Sequence, residues 1–272
     1  MADDVRVFEK LPQRSFRNVV VVAGAGMSAD SELPTFTDIL AVWGVEEGSP
    51  VRAVMESGVT PLGLFCRHPE LAWPLYLSRL KACSSARIHN GYLALLEISR
   101  RIPGDCAVLT SNVDGLFHRA GFMLVHECHG QIARLQCRLP CHQKTWVPNV
   151  AEISKDLSRG KFPACPHCGE IARPNISWGD SSFVHAEGDE RARLFTSSVD
   201  AMNGSTLVIE CGVSPGSGLR RFAEDLPRQR EEVFLIRINL DAQEIAGERH
   251  LCVAASAENA LVGLRDAVLF KR

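Results

Sequence analysis

The sequence predicts an α/β fold in which a parallel sheet of Rossmann type is interrupted by two inserted segments. Four short runs of β-branched and other apolar residues lack polar alternation, as strands buried on both faces do. Two stretches, 38–85 and 131–182, depart from this α/β rhythm. The first is rich in proline and looks helical, and the second contains clustered cysteines. Together they are expected to form a second, smaller domain.

The strands and helices follow from apolar pattern and length. Each of the four strong runs ends in small or polar residues, and they are Asn18–Ala23, Cys106–Thr110, Thr206–Glu210 and Val233–Asn239. Weaker strands are predicted at Met123–His126 and His250–Ala254, and helical spacing is clearest over Gly91–Arg101 and Ala257–Leu269. In an open α/β sheet, ligands bind at the carboxyl ends of the strands, so a site is expected where these runs end.

Bulk properties exclude several classes of protein. The 272 residues carry a formal net charge of −2, which provides no overall basic field for nucleic acid. No apolar run is long enough for a membrane span, and the N-terminal segment lacks the apolar core of a signal peptide. Ten cysteines in such a chain indicate metal or redox chemistry in a reducing compartment rather than disulfides. We therefore expect a cytoplasmic protein without direct nucleic-acid or membrane contacts.

A glycine turn follows the first predicted strand. Residues 24–29, Gly-Ala-Gly-Met-Ser-Ala, fit the pattern G-x-G-x-x-G/A, whose glycines allow a pyrophosphate to approach the backbone. A dehydrogenase should also show a second strand ending in an acidic residue about 20 positions later. Glu46 and Glu47 do not end a convincing strand, so a usual hydride-transfer enzyme is disfavoured.

Four cysteines have the spacing of a metal centre. Cys137 and Cys141 form one hook, Cys165 and Cys168 form a second, and 23 residues separate the hooks. Two such hooks typically build a closed, tetrahedral and structural zinc site. Two alternatives stay open: His142 or His167 replaces a cysteine, or Cys165-Pro-His-Cys168 acts as a redox pair.

Polar residues follow two other predicted strands. Asn112 and Asp114 come directly after the run at 106–110, where turn and capping roles are also common. His129 follows the weak strand near 126, and an imidazole there suits a general base, although a surface histidine is a comparable interpretation.

Taken in order, these motifs resemble the sirtuin family. The resemblance spans roughly Val19 to Leu264 and is carried by Gly24–Phe36, Thr110–Asp114, Glu127–Gly130, the cysteine quartet, Arg173–Asp180, Gly212–Ser214 and Ile238-Asn239. His89 resembles a structural histidine that the family often carries.

The resemblance implies a Rossmann-like NAD-binding domain of residues 1–37, 86–130 and 183–272. It also implies a small domain made of a helical insertion, 38–85, and a zinc-binding insertion, 131–182. NAD would lie in the cleft between the domains, and an acyl-lysine protein or peptide would enter opposite. The acyl oxygen then attacks the ribose carbon as nicotinamide leaves, and a histidine removes a ribose hydroxyl proton.

The resemblance also implies roles for individual residues. His129 is expected to be the general base, and Asn112 the second catalytic residue. Further contacts to NAD are expected from Gly24, Ala25, Gly26, Ser28, Pro34, Phe36, Asn112, Asp114, Gly212, Ser214 and Asn239. The expected metal ligands are Cys137, Cys141, Cys165 and Cys168, and the expected cofactors are NAD and zinc.

Two departures from the family pattern widen the functional alternatives. The family usually has glycine where Glu32 stands, and arginine where this chain has Thr37. A protein-lysine deacylase is the leading interpretation. The alternatives are an NAD-dependent ADP-ribosyltransferase or NAD hydrolase of the same type, resembling a microbial branch near the macrodomain-linked sirtuins, and a catalytically weak NAD or ADP-ribose sensor. The sequence leaves the acyl preference and the oligomeric state open.

Overall fold

A computed structural model describes residues 7–11, 15–33, 47–241 and 248–270. Two sheets are present in this part of the chain. Their strands are β1 (Asn18–Ala23), β2 (Cys106–Thr110), β3 (Val125–Glu127), β4 (Gly130–Cys137), β5 (Ala172–Ile176), β6 (Thr206–Cys211), β7 (Val233–Asn239) and β8 (His250–Ala254). The α/β prediction is confirmed.

The large sheet has the strand order of a dinucleotide-binding fold. Its order is β3-β2-β1-β6-β7-β8, and every neighbouring pair is parallel. The strand order reverses between β1 and β6, since the chain proceeds outward from β1 on one side and from β6 on the other. Ligands bind at such a switch point, outside the carboxyl ends of the strands. The turns after β1 and β6 are therefore the first place to look for a site.

Helices cover both faces of this sheet. They are α4 (Asn90–Arg101), α5 (Leu116–Ala120), α7 (Ala186–Ala201), α8 (Gly218–Gln229) and α9 (Ala257–Leu269). All six residues of β1 are buried, and alternate side chains enter different hydrophobic clusters, Val19 and Val21 on one face and Val20 and Val22 on the other. A strand without polar alternation is thus buried on both faces, as its sequence predicts.

The second hydrophobic core lies in the inserted segments. It joins the short sheet of β4 and β5 to four helices, α1 (Pro50–Glu56), α2 (Pro61–Arg67), α3 (Pro69–Ser85) and α6 (Val150–Leu157). Three prolines of this region start helices because a proline at the first position lacks only an N–H that would be unpaired anyway. The Tyr76 hydroxyl donates a 2.5 Å hydrogen bond to the Ile132 carbonyl and ties α3 to β4.

A buried ion network supports the carboxyl end of β6. Glu210, 0% exposed, accepts hydrogen bonds from Arg220 at 3.2 Å and from Arg237 at 2.9 and 2.8 Å. Arg220 also donates to the Val213 carbonyl at 3.0 Å. The network therefore holds the turn after β6 in place, and Arg220 is committed to it.

Replacing Glu210 with glutamine is expected to destabilise the protein by about 3–5 kcal/mol, because the buried Arg220 loses its counter-charge and the buried Arg237 is left with Glu224. The exposed Arg52–Glu56 pair, at 2.8 Å, is the matched control, and Glu56→Gln should cost at most about 0.5 kcal/mol. Urea unfolding measures both variants. Equal effects of the two substitutions would show that the buried network does not stabilise the fold.

Two further features bear on the sequence predictions. Glu32 is the only non-glycine residue with positive φ in the described ranges, at +64°, and it stands where the sirtuin pattern has glycine. Within those ranges, no helix has the length and apolar character needed to cross a membrane.

Candidate functional site

Two glycine turns meet at the switch point of the sheet. Gly24 donates its N–H to the Cys211 carbonyl at 3.0 Å, and Gly26 donates to the Gly212 carbonyl at 3.1 Å. A Cβ on Gly24 would lie 2.5 Å from the Gly212 oxygen, and one on Gly26 would lie 2.7 Å from the Gly212 Cα. Glycine is therefore required here by the contact between the two turns, and not only by the approach of a ligand.

A cavity of about 400 Å³ opens beside these turns. It lies at the carboxyl ends of β1, β6 and β7 and has the size of a ligand site. Its lining includes Ala25, Gly26, Gly212, Ser214 and Asn239. The Asn239 side chain donates to the Val213 carbonyl at 3.0 Å, so it also braces the turn after β6. Five sequence-predicted cofactor residues thus line one cavity at the switch point.

The segment after β2 is bonded directly to the first glycine turn. The buried Asn112 amide donates to the Gly24 carbonyl and to the Ser28 hydroxyl, both at 2.9 Å. The Ser28 hydroxyl donates to Asp114 at 2.7 Å. Since a hydroxyl has one proton, the Tyr92 hydroxyl, 3.0 Å away, is the donor in its contact with Ser28. Ser28 is thereby committed to this network.

Burial raises the pKa of the Asp114 carboxyl, while hydrogen bonds from the Leu116 amide and Ser28 oppose that shift. Arg79, on α3, lines a small pocket with Asn112 and Asp114. No sequence pattern marks Tyr92 or Arg79 as a site residue. Each is one residue on an ordinary helix, and only the tertiary contact with Ser28 or Asp114 distinguishes it.

His129 lies on the exposed turn between β3 and β4. Neighbouring protein atoms desolvate its ring and lower its pKa, while a hydrogen bond to the Ser111 backbone opposes the shift. Ser111 precedes Asn112, so the imidazole is tied to the segment that holds the glycine turn. The His129 carbonyl accepts the Ser177 N–H at 2.9 Å, which connects the same turn to the end of β5.

The segment after β5 is organised by a fully buried arginine. Arg173 donates to the Ile176 carbonyl at 3.0 Å and to Asp180 at 2.9 Å. Its guanidinium also lies 5.1 Å from the Trp178 ring centroid, and Trp178 stacks on Phe65 at 5.7 Å. Arg173 therefore orders the segment that is hydrogen-bonded to His129. The positive charge of Arg173 is paired with Asp180.

His89 has a structural role in the fold. It is 0% exposed, and its Nδ1 accepts the Gly91 N–H at 3.0 Å. In the neutral ring the proton is therefore on Nε2, which donates to the Met27 carbonyl at 2.8 Å. Pro34, Phe36 and Thr37, which the sequence assigned to the cofactor-binding segment, lie outside the described residues.

The four cysteines of the two hooks converge at the end of the small sheet. Their sulfur atoms all lie within 4.8 Å of one another. Cys137 and Cys168 are 3.7 Å apart, and Cys141 and Cys165 are 3.6 Å apart. Tetrahedral zinc with Zn–S bonds of about 2.3 Å requires sulfur–sulfur distances of about 3.7 Å. The quartet fits zinc, and four thiolates would close its coordination shell, which is the arrangement of a structural metal.

The Cys165 sulfur favours the thiolate form. Burial raises the pKa of Cys165, but the amide N–H groups of Cys168 and His167 outweigh it and lower the pKa to about 6. Thiolates are the form that binds zinc. All ten cysteines are free of disulfides, and Cys165 and Cys168 share one cluster with the first hook.

Replacing Cys165 and Cys168 together with serine is expected to remove zinc from the protein and to lower its thermal stability, because two of four ligands are lost. Elemental analysis should give about one zinc per wild-type chain, as a single closed site holds. Cys66→Ser, which changes a cysteine outside the quartet, is the control. Wild-type protein that is metal-free and fully stable would contradict the zinc assignment.

The comparisons with known proteins agree on one family. The profile described as the Sir2 family matches residues 24–215, more than half of the chain. NAD-dependent protein deacylase 1 of Caldanaerobacter subterraneus subsp. tengcongensis is 32% identical over 237 residues, covering 84% of this chain and 88% of that protein. An NAD-dependent protein deacylase of Thermus thermophilus is 28% identical over 244 residues, covering 89% of this chain and 86% of that protein.

Solved structures share the fold. A Sir2 homologue in complex with NAD has a TM-score of 0.67 at 21% identity, with 98% of this chain and 93% of that chain covered. A structure from work on sirtuin substrate affinity has a TM-score of 0.69 at 21% identity, with 100% and 98% covered. At this identity the likeness concerns the fold alone. The residues resembling the sirtuin motifs thus lie in a fold that Sir2 structures share.

Proposed function

Because the chain belongs to the Sir2 family, we propose that it is an NAD-dependent protein-lysine deacylase that releases nicotinamide and acyl-ADP-ribose. The observation that carries this proposal is the connection between His129 and the glycine turn. The His129 ring is bonded to the Ser111 backbone, and the adjacent Asn112 holds Gly24 and Ser28. A titratable base is therefore fixed relative to the residues that line the cavity.

We propose the following roles for these residues in binding NAD. Gly24, Ala25, Gly26 and Ser28, with the proposed contacts of Pro34 and Phe36, hold the phosphate end of NAD. The adenosine half is bound by Gly212, Ser214 and Asn239. Their position in the lining of the large cavity supports this role. Asn112 and Asp114 position the ribose and the carboxamide. NAD supplies the bond between ribose and nicotinamide that the reaction breaks.

His129 would act as the general base that accepts a ribose hydroxyl proton. Its exposed position on the turn after β3 allows a substrate to reach the imidazole, and the bond to Ser111 fixes the ring. Asn112 is buried, and its amide would serve by orienting the bound ribose. The acylated lysine would enter along the segment after β5, since the Ser177 N–H bonds to the His129 carbonyl.

We also propose the domain division that the sequence predicts. The Rossmann-like domain comprises 1–37, 86–130 and 183–272, and the small domain comprises 38–85 and 131–182. The separate hydrophobic cluster of α1, α2, α3, α6 and the small sheet supports this division. A cytoplasmic location is part of the proposal, supported by ten cysteines without a disulfide.

The activity is tested by incubating the protein with NAD and a library of acetyl-lysine peptides, followed by mass spectrometry. We expect nicotinamide, deacylated peptide and acyl-ADP-ribose in equal amounts. ADP-ribose added to a protein, without deacylation, would favour the transferase alternative. Nicotinamide and free ADP-ribose alone would indicate a hydrolase. If the protein binds NAD but releases no nicotinamide under any condition, the sensor is the interpretation that remains.

The pH dependence provides a test of the general base. A base must be neutral to accept a proton, and desolvation lowers the pKa of His129. We therefore expect kcat/KM to rise with pH through a midpoint below about 6.5, the usual value for histidine, and to be flat above it. Rates from pH 5 to pH 8 measure this. A midpoint above the usual value would contradict the assignment of the base to a desolvated imidazole.

A further inference from the structure

Two histidines flank the cysteine quartet, and each contacts a sulfur of the opposite hook. His142 follows the first hook, and its Nε2 lies 3.6 Å from the Cys165 sulfur in the second hook. His167 belongs to the second hook, and its Nδ1 lies 3.6 Å from the Cys141 sulfur in the first. The two rings meet edge-on, with centroids 5.3 Å apart. The imidazoles therefore link the hooks crosswise.

The backbone fixes which nitrogen of His142 carries the proton. The Lys144 N–H donates to His142 Nδ1 at 3.1 Å, so Nδ1 is an acceptor. In a neutral imidazole the other nitrogen then carries the hydrogen. That nitrogen is Nε2, the atom beside the Cys165 sulfur. His142 is thus oriented as an N–H donor to a thiolate.

Neither histidine is needed to complete the metal shell. The four sulfurs alone form a cluster that fits a tetrahedral zinc centre, and each imidazole contacts one sulfur from outside that set. Zinc with four thiolates carries a net charge of −2, and the Cys141 and Cys168 hook positions are exposed. An N–H donor stabilises such negative charge and occupies a sulfur lone pair that an attacking proton would otherwise reach, so the thiolate leaves the metal less readily.

We propose that His142 and His167 form an outer coordination shell that donates N–H···S hydrogen bonds to Cys165 and Cys141 and so retards the loss of zinc. The inference rests on zinc occupying the quartet and is independent of the reaction that the protein catalyses. It assigns a structural reason for two histidines next to a site that four cysteines already complete.

The test follows zinc transfer from the purified holoprotein to excess 4-(2-pyridylazo)resorcinol. His142→Leu is expected to release zinc about tenfold faster than wild type, the lower end of what removing an outer-shell partner typically costs. His142→Gln keeps an N–H near the position of Nε2 and should restore most of the slow release. His185→Leu removes another exposed histidine, away from the quartet, and should leave the rate unchanged.

The second histidine has its own matched pair. His167→Leu should accelerate release, and His167→Asn, whose amide replaces the Nδ1 donor, should reverse the effect. Circular dichroism before chelation verifies that each variant is folded. Equal rates for leucine and amide variants, whether fast or slow, would overturn the hydrogen-bond role.

X-ray absorption at the zinc edge separates outer from inner coordination. We expect four sulfur neighbours in wild type and in the four variants at His142 and His167. A nitrogen neighbour in wild type that disappears in His142→Leu or His167→Leu would overturn the proposal by placing a histidine on the metal. Zinc absent from wild type would instead refute the metal site itself, which distinguishes the two failures.

Discussion

Replacing His129 with alanine is expected to lower the deacylation rate by about 10²–10⁴-fold, the usual contribution of a general base. NAD affinity should change little, because His129 is exposed and its ring contacts the Ser111 backbone rather than the glycine turns. Measuring kcat with an acetyl-lysine peptide and NAD binding by calorimetry separates these effects. The fold should tolerate the change, since His129 is exposed.

The control for this prediction is another surface histidine. The His68 ring lies 3.5 Å from the exposed Glu70, so His68→Ala should leave kcat unaltered. Undiminished turnover in His129→Ala would remove His129 from the role of base. Loss of NAD binding in the same variant would instead assign it to cofactor binding.

Replacing Gly212 with alanine is expected to have the largest effect on the cofactor site among single methyl additions. Gly212 has φ +62°, and an added Cβ would overlap the backbone of Gly26 and Met27. The left-handed backbone costs about 1–2 kcal/mol for a residue with a Cβ, and the overlap adds about 1–3 kcal/mol. The two turns can relieve this strain by separating, which distorts the cavity. A loss of only about 1.4 kcal/mol of binding free energy lowers NAD affinity about tenfold.

Gly216 provides a matched control for this substitution. It has φ +75°, close to that of Gly212, but no atom of the described residues lies within 4 Å of its Cβ position. Gly216→Ala should therefore show only the backbone cost of about 1–2 kcal/mol and no loss of NAD affinity. Thermal unfolding and calorimetry with NAD measure both variants. Similar NAD affinities for the two variants would show that the contact between the turns does not shape the site.

Much of the fold could be predicted because its determinants are local in the sequence. The runs at 18–23, 106–110, 233–239 and 250–254 and the helix at 257–269 occur at the predicted positions. The weak strand predicted at 123–126 begins two residues later and is β3, Val125–Glu127. Apolar runs without alternation reflect burial on both faces of a parallel sheet, which is a property of single strands.

The candidate site was predictable to a lesser extent. Cysteine spacing indicates a metal centre because a hook is a local turn, and the glycine pattern indicates a tight turn for the same reason. Neither pattern indicates what the glycines contact. In the structure, Gly26 packs on Gly212, and the Ser28 hydroxyl is committed to Asn112, Asp114 and Tyr92.

By itself, then, the sequence determined the class of fold, the positions of the strands of its large sheet to within two residues, and the members of the cysteine quartet. These features depend on periodicity and short-range spacing, which are visible in the amino-acid sequence itself. Only the tertiary structure decided how the turns after β1 and β6 support each other, why Glu210 is buried between Arg220 and Arg237, and that His142 and His167 reach the opposite hooks. Those contacts join residues far apart in the chain, and only the crossover topology of the sheet and the closure of the small domain bring them together.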